Sequence, residues 1–158
     1  MSSSHQTISD EHAHIYREYF RALLNKEGIL CDENMVAIYG SLKFILCCQW
    51  REKNPIGAAE IQTFNHSLSS QHHGGIGVYV TPTGYSQGAI KEAMNSSTKI
   101  LLCTDKDIIE CIKLTEANFK KIHPLNYDDV VIEGLNFERG EIKSIRKITM
   151  KQRAFVPY

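Results

Sequence analysis

The run Ile76-Gly77-Val78-Tyr79-Val80-Thr81-Pro82-Thr83-Gly84-Tyr85-Ser86-Gln87-Gly88-Ala89-Ile90 decides the fold. Its first part, Ile76 to Thr81, is short, apolar and β-branched, as a strand covered on both faces must be. Pro82 to Ser86 then brings together proline, threonine, glycine and serine, the residues that turn a chain. From Ser86 to Met94 the pattern predicts a short helix. A second apolar run, Lys99 to Cys103, predicts another strand, and a helix from Lys106 to about Ala117 follows with Asp105 as its cap. Strands alternating with helices predict a sheet with helices on its faces and parallel later strands.

Upstream, Leu42 to Trp50 is the longest apolar run of the chain. Met35 to Tyr39 precedes it across Gly40-Ser41, so the two predict a β-hairpin whose second strand is buried on both faces. Arg51 to Pro55 is a polar loop. Ile61, Phe64 and Leu68 share one helical face within Ala58 to Leu68, and Gln71 to Gly75 is a loop. The first helix is expected to start at Ser9-Asp10-Glu11, where acidic groups suit the helix dipole. It carries Ile15, Tyr16, Tyr19, Phe20, Leu23 and Leu24 at helical spacing and stops at Gly28. Residues 1–9 are read as a disordered lead-in, and 10–118 as the domain.

After Pro124 the pattern changes. Val130-Val131-Ile132 is an extended segment. Ile142, Ile145 and Ile148 recur every third residue, which fits a helix face or a bulged strand; we adopt the strand. Arg139-Gly140 can turn a hairpin between the two segments. Residues 119–158 are therefore expected to form a C-terminal extension, a hairpin packed on the domain or on a partner.

The totals set bounds. The chain has 158 residues with 18 basic and 18 acidic side chains, enough for one domain with its own core. Zero formal net charge gives no general pull toward nucleic acid or anionic lipid. From Glu138 onward, six basic residues (Arg139, Lys143, Arg146, Lys147, Lys151, Arg153) face two acidic ones (Glu138, Glu141), a local balance of +4. That basic end suits phosphate contact or a solvated strand face equally well. Five cysteines without paired spacing argue against a disulfide framework. No apolar run approaches a membrane span, and the polar Met1 to Ser9 lacks the apolar core of a signal peptide. The expected location is intracellular, cytoplasm or nucleus.

Three segments resemble the Mrr-type restriction-endonuclease domain. One is the helix with a paired leucine, Tyr16 to Glu27, ending at Gly28. Another is Phe44-Ile45-Leu46-Cys47-Cys48-Gln49-Trp50, followed by Ile56-Gly57 and the helix bearing Glu60-Ile61-Gln62; in that family the strand ends in Gln-x-Lys or Glu-x-Lys. The most specific is Gly77 to Ile90, matching a Gly-apolar-apolar-Val-Thr strand, a Ser/Thr-Gly-Phe/Tyr-Ser/Thr turn and a helix. Asn95-Ser96-Ser97 and Ile100-Leu101-Leu102 continue the match, which covers about residues 12 to 115. The resemblance implies the PD-(D/E)xK nuclease fold, a central mixed sheet flanked by helices.

It also implies a chemistry: an acid at the hairpin, a polar or acidic group about ten residues on, and a lysine two residues later, holding Mg²⁺ and stabilising the phosphorane. With Gly40-Ser41 at the family turn, these positions fall on Ala37, Cys47 and Gln49. None supplies a hard oxygen anion or a cation, so no catalytic residues, no metal and no cofactor are expected at them. A relocated site would draw on Glu18, Asp32 or Glu33, Glu60 and Lys53, and Mg²⁺ enters only in that case.

Other features have ordinary readings. His72-His73-Gly74-Gly75 reads as a polar loop rather than a zinc site, and Cys47-Cys48 as core. Trp50 packs in a core or interface, or stacks on a base. Lys53, Thr83, Tyr85, Ser86 and Lys91 are the candidate nucleic-acid contacts, since the turn opens a helix whose N–H groups suit phosphate. The favoured expectation is a catalytically inactive nuclease-like domain acting as a protein-interaction or structural subunit, self-association included. The alternatives are a non-cleaving DNA-binding module and an active Mg²⁺-dependent endonuclease with relocated residues.

Overall fold

The computed structural model describes residues 2–71, 74–120 and 130–150. Helix α1 spans Ser2–Lys26, strands β1 Leu30–Cys31, β2 Val36–Tyr39 and β3 Leu42–Cys48 follow, then α2 Ala58–Gln71, β4 Ile76–Val80, α3 Gln87–Asn95, β5 Ile100–Cys103 and α4 Ile108–Lys120. Strands β1 to β5 form one sheet in sequence order. The β1–β2 and β2–β3 pairs are antiparallel, while β3–β4 and β4–β5 are parallel. This is the expected mixed sheet flanked by helices. No helix among the described residues is long and apolar enough to cross a membrane.

Alternation along β3 divides the core. Phe44, Leu46 and Cys48 point to one face, where Tyr16, Phe20 and Leu24 of α1 and Ile108 and Ile112 of α4 cover them. Ile45 and Cys47 point to the other, under Ile61, Phe64 and Leu68 of α2 and Ala89 of α3. Each large side chain removed from water here contributes roughly 1.5–3 kcal/mol. Strand β3 is therefore apolar on both faces, which is why its sequence shows a continuous run rather than an alternation.

Four boundaries differ from expectation. Helix α1 begins at Ser2 rather than Ser9. Helix α2 continues from Leu68 to Gln71. Asp105 does not cap α4. Instead the Thr104 amide donates to Asp107 Oδ1 at 2.7 Å and the Thr104 carbonyl takes the Ile108 amide at 3.2 Å, leaving Asp105 in an exposed turn. Ser86 is the N-cap of α3, its hydroxyl accepting from the Ala89 amide.

The C-terminal segment folds as a long interrupted hairpin. Strands β6 Val130–Glu133 and β9 Lys147–Met150 pair at its base, and β7 Asn136–Glu138 and β8 Glu141–Ser144 at its tip. The expected single strand from Glu141 to Met150 is broken at Ile145-Arg146, where the Arg146 amide turns back to the Glu133 carbonyl. That break resets the alternation. Ile145 and Ile148 form a buried cluster with Ile38 of β2, and Ile142 and Leu30 pack against it, despite the isoleucine spacing of three. The segment 121–129, with Pro124, and the cations Lys151 and Arg153 lie outside the described residues.

Arg139-Gly140 is the two-residue turn at the hairpin tip, with φ of 53° and 78°. Positive φ at both central positions suits Asn-Gly, and arginine pays for that conformation through its Cβ. Arg139→Asn is expected to raise stability by about 0.5–1 kcal/mol, read as a higher urea midpoint at unchanged slope.

Candidate functional site

Parallel strands β3 and β4 end side by side, and their following loops are tied together. The Ile56 amide donates to the Gly84 carbonyl and the Ser86 amide to the Ile56 carbonyl, each at 2.9 Å. This brings the loop from Arg51 to Pro55 against the turn from Pro82 to Ser86. Ligands of open α/β sheets bind at such carboxyl ends of strands.

Of the three positions matched to the family's chemistry, two share a face. Cys47 lies on the α2 side beside Tyr79, and Gln49, exposed, continues the ladder by donating its amide to Val80 at 2.8 Å. Ala37 is on the opposite face. It pairs with Phe44 and is buried against the α1 cluster. Cross-strand partners share a face and successive residues alternate, so Ala37 cannot converge with Cys47. The counted spacing of ten therefore does not assemble one site. Burial raises the Cys47 thiol, only partly offset by a hydrogen bond with Tyr79; as a neutral thiol it is a poor partner for a hard cation.

The relocated set is not gathered either. Glu18 stands on α1 and is paired with Arg21, with the sheet between it and α2. Glu60, on α2, binds the Arg51 guanidinium through Oε1 and the Gly57 amide through Oε2. Asp32 is buried. Its Oδ1 accepts from the amides of Asn34 at 2.9 Å and Val36 at 3.0 Å, and its Oδ2 from Ile148 at 2.9 Å. Glu33 and Lys53 are exposed.

Arg51 is the residue the sequence reading passed over as loop. It also donates to the Pro55 carbonyl at 3.3 Å, so it staples its own loop to the start of α2. The signal was present: Gln49-Trp50-Arg51 has the Gln-x-cation spacing, two residues beyond the register used for Cys47 and Gln49.

The turn residues are mostly committed to structure. The Tyr85 hydroxyl reaches the carbonyls of Tyr79 and Cys103, both at 2.7 Å, and burial first of all raises its pKa. Ser86 caps α3, and Thr83 shares a hydroxyl contact with Thr81 at 3.2 Å. Lys91 is exposed on α3. On the hairpin, Lys143 meets Glu141 at 3.4 Å and Arg146 meets Glu133 at 3.5 Å.

Trp50 leaves the strand end toward α1. It meets Tyr16 and His12 edge-on, at centroid distances of 5.6 and 5.7 Å. With Ile15 and Tyr19 these rings line an open, almost wholly apolar cleft of about 290 Å³. Ile15, Tyr19 and Trp50 are 59%, 56% and 37% exposed, and the Tyr16 hydroxyl is buried without a hydrogen-bond partner among the described residues.

One further cluster was not foreseen. Cys103 at the end of β5, and Asp107 and Cys111 at the start of α4, hold their ligand atoms within 4.8 Å of one another. The three-residue gaps do not match the two-residue cysteine spacing that sequence reading looks for.

A parallel-stranded core with an antiparallel hairpin on one edge, helices on both faces and paired loops at the strand ends defines a nuclease-type α/β domain. The Mrr_cat family model, described as restriction endonuclease, matches residues 34–112. The chain belongs to this restriction endonuclease family. No curated protein and no solved structure matches it.

Proposed function

We propose that this restriction-endonuclease-like domain does not cleave DNA and serves as a protein-interaction or structural subunit. The observation that carries the reading is the state of the carboxylates around the cleft. Glu60 is engaged by Arg51 and Gly57, Asp32 by three backbone amides, and Glu18 lies across the sheet. A Mg²⁺ ion needs several oxygen ligands in near-octahedral array. Cys47 and Gln49 add no anionic oxygen to the cleft.

The aromatic cleft at Trp50 supports an interaction role. The exposed apolar surface of Ile15, Tyr19 and Trp50 suits a partner that brings an apolar side chain. The hairpin cations, by contrast, are partly neutralised by their own acidic neighbours.

The test uses plasmid DNA with Mg²⁺ or Mn²⁺ against a chelator control, mobility shifts at low and moderate salt, and sedimentation over a concentration range. No nicking, no salt-sensitive shift, and self-association weakened at least about tenfold by Trp50→Ala are expected, as loss of a buried aromatic anchor predicts. Metal-dependent nicking abolished by Glu60→Ala would establish a relocated nuclease site instead. A shift without cleavage, weakening steeply with salt, would establish a DNA-binding module.

A further inference from the structure

The structure assigns a soft divalent metal site, of zinc type, to Cys103, Asp107 and Cys111. Their donor atoms lie within 4.8 Å of one another. Two sulfurs on one zinc at roughly 2.3 Å stand about 3.8 Å apart in a tetrahedron, which is inside the spread these donors already show. Two thiolates and one carboxylate leave a fourth position for water, the donor count of an open zinc site.

The surroundings hold the ligands in place. Asp107 Oδ1 accepts the Thr104 amide at 2.7 Å, which orients the carboxylate and leaves Oδ2 without a hydrogen bond among the described residues. The Tyr85 hydroxyl binds the Cys103 carbonyl at 2.7 Å and fixes the strand end. Such outer contacts tune ligands in metal sites. Asp107 stands just before α4 and Cys111 is the fourth residue of the helix, at the end where the helix dipole favours negative charge. Cys103 is fully buried and the other two are half-buried, so an ion has a dry floor and an open entry. Binding releases the two thiol protons to solvent and changes no oxidation state.

The site is separate from the β3–β4 cleft, and it takes a soft cation where the family chemistry requires a hard one.

The full chain, reduced and stripped with a chelator, is titrated with Co²⁺ and then Zn²⁺. One equivalent of cobalt is expected to give a thiolate-to-metal charge-transfer band that zinc displaces. Cys111→Ser and Asp107→Ala, at half-buried positions, are each expected to weaken binding more than about tenfold while circular dichroism shows an unchanged fold. Cys47→Ala, which removes a thiol on the other face of the sheet, keeps the band. A folded chain without the band in excess cobalt, or a band that survives Cys111→Ser, overturns the assignment.

Discussion

Asp32→Ala is expected to destabilise the protein by about 3–5 kcal/mol, since each hydrogen bond to a buried carboxylate contributes roughly 1.5–3 kcal/mol and neighbouring ones do not add fully. Three backbone amides lose their acceptor together: Asn34 and Val36 in the turn before β2, and Ile148 in β9. The turn also contains Met35 at a φ of 62°, a left-handed conformation that depends on those bonds. At about 2–4 °C per kcal/mol for a chain of this size, the melting temperature should fall by about 10 °C. Hydrogen exchange should show the Ile148 amide losing protection, because the Asp32 carboxylate joins the C-terminal hairpin to the domain. If Asp32 were instead a metal-binding acid, its removal would relieve repulsion and leave stability unchanged or improved. A loss below about 1 kcal/mol would therefore reject the structural role given to it here.

Gly77→Val sets two effects of opposite sign against each other. Valine suits an open strand better than glycine, by up to ~1 kcal/mol. A Cβ at this position, however, would stand 2.5 Å from Leu68 Cδ1 and 2.8 Å from Phe64 Cε2. Both neighbours are buried in the core beneath α2, so they have little room to yield. Overpacking of this kind costs about 1–3 kcal/mol for a single methyl and more for a branched side chain. A net loss of about 3 kcal/mol is expected from urea unfolding of Gly77→Val. Leu68→Ala made in the Gly77→Ala background should cost less than in the parent chain, which a double-mutant cycle measures. Equal costs in both backgrounds would show that α2 does not press on this strand.

Gly77 also shows how far the family motif could be read. The glycine at the head of Gly77-Val78-Tyr79-Val80-Thr81 marked the resemblance without revealing its cause. The cause is the close approach of α2, which depends on residues nine and thirteen positions earlier in the chain, Leu68 and Phe64.

The site was less legible than the fold. Spacing placed Ala37, Cys47 and Gln49 in one register, but the side a residue faces follows from strand pairing. Ala37 pairs with Phe44 and so faces α1. Arg51 was hidden because a polar residue after a strand looks like loop, and its partner Glu60 belongs to the next helix. Cys103, Asp107 and Cys111 were hidden because a strand end and a helix start meet only once β5 and α4 are packed.

The sequence by itself determined the order and type of the elements from Tyr16 to Ala117 except the two-residue strand β1, since hydrophobic periodicity and turn residues act over a few residues and can be read locally, whereas so short an edge strand carries no period. It also determined that the central strands are buried on both faces. Tertiary structure alone decided which side chains meet: Asp32 with Ile148, Arg51 with Glu60, Trp50 with His12 and Tyr16, and the two cysteines with Asp107. Such contacts depend on strand register and helix docking, whose free energy is spread over the whole core, so no single stretch of residues encodes them.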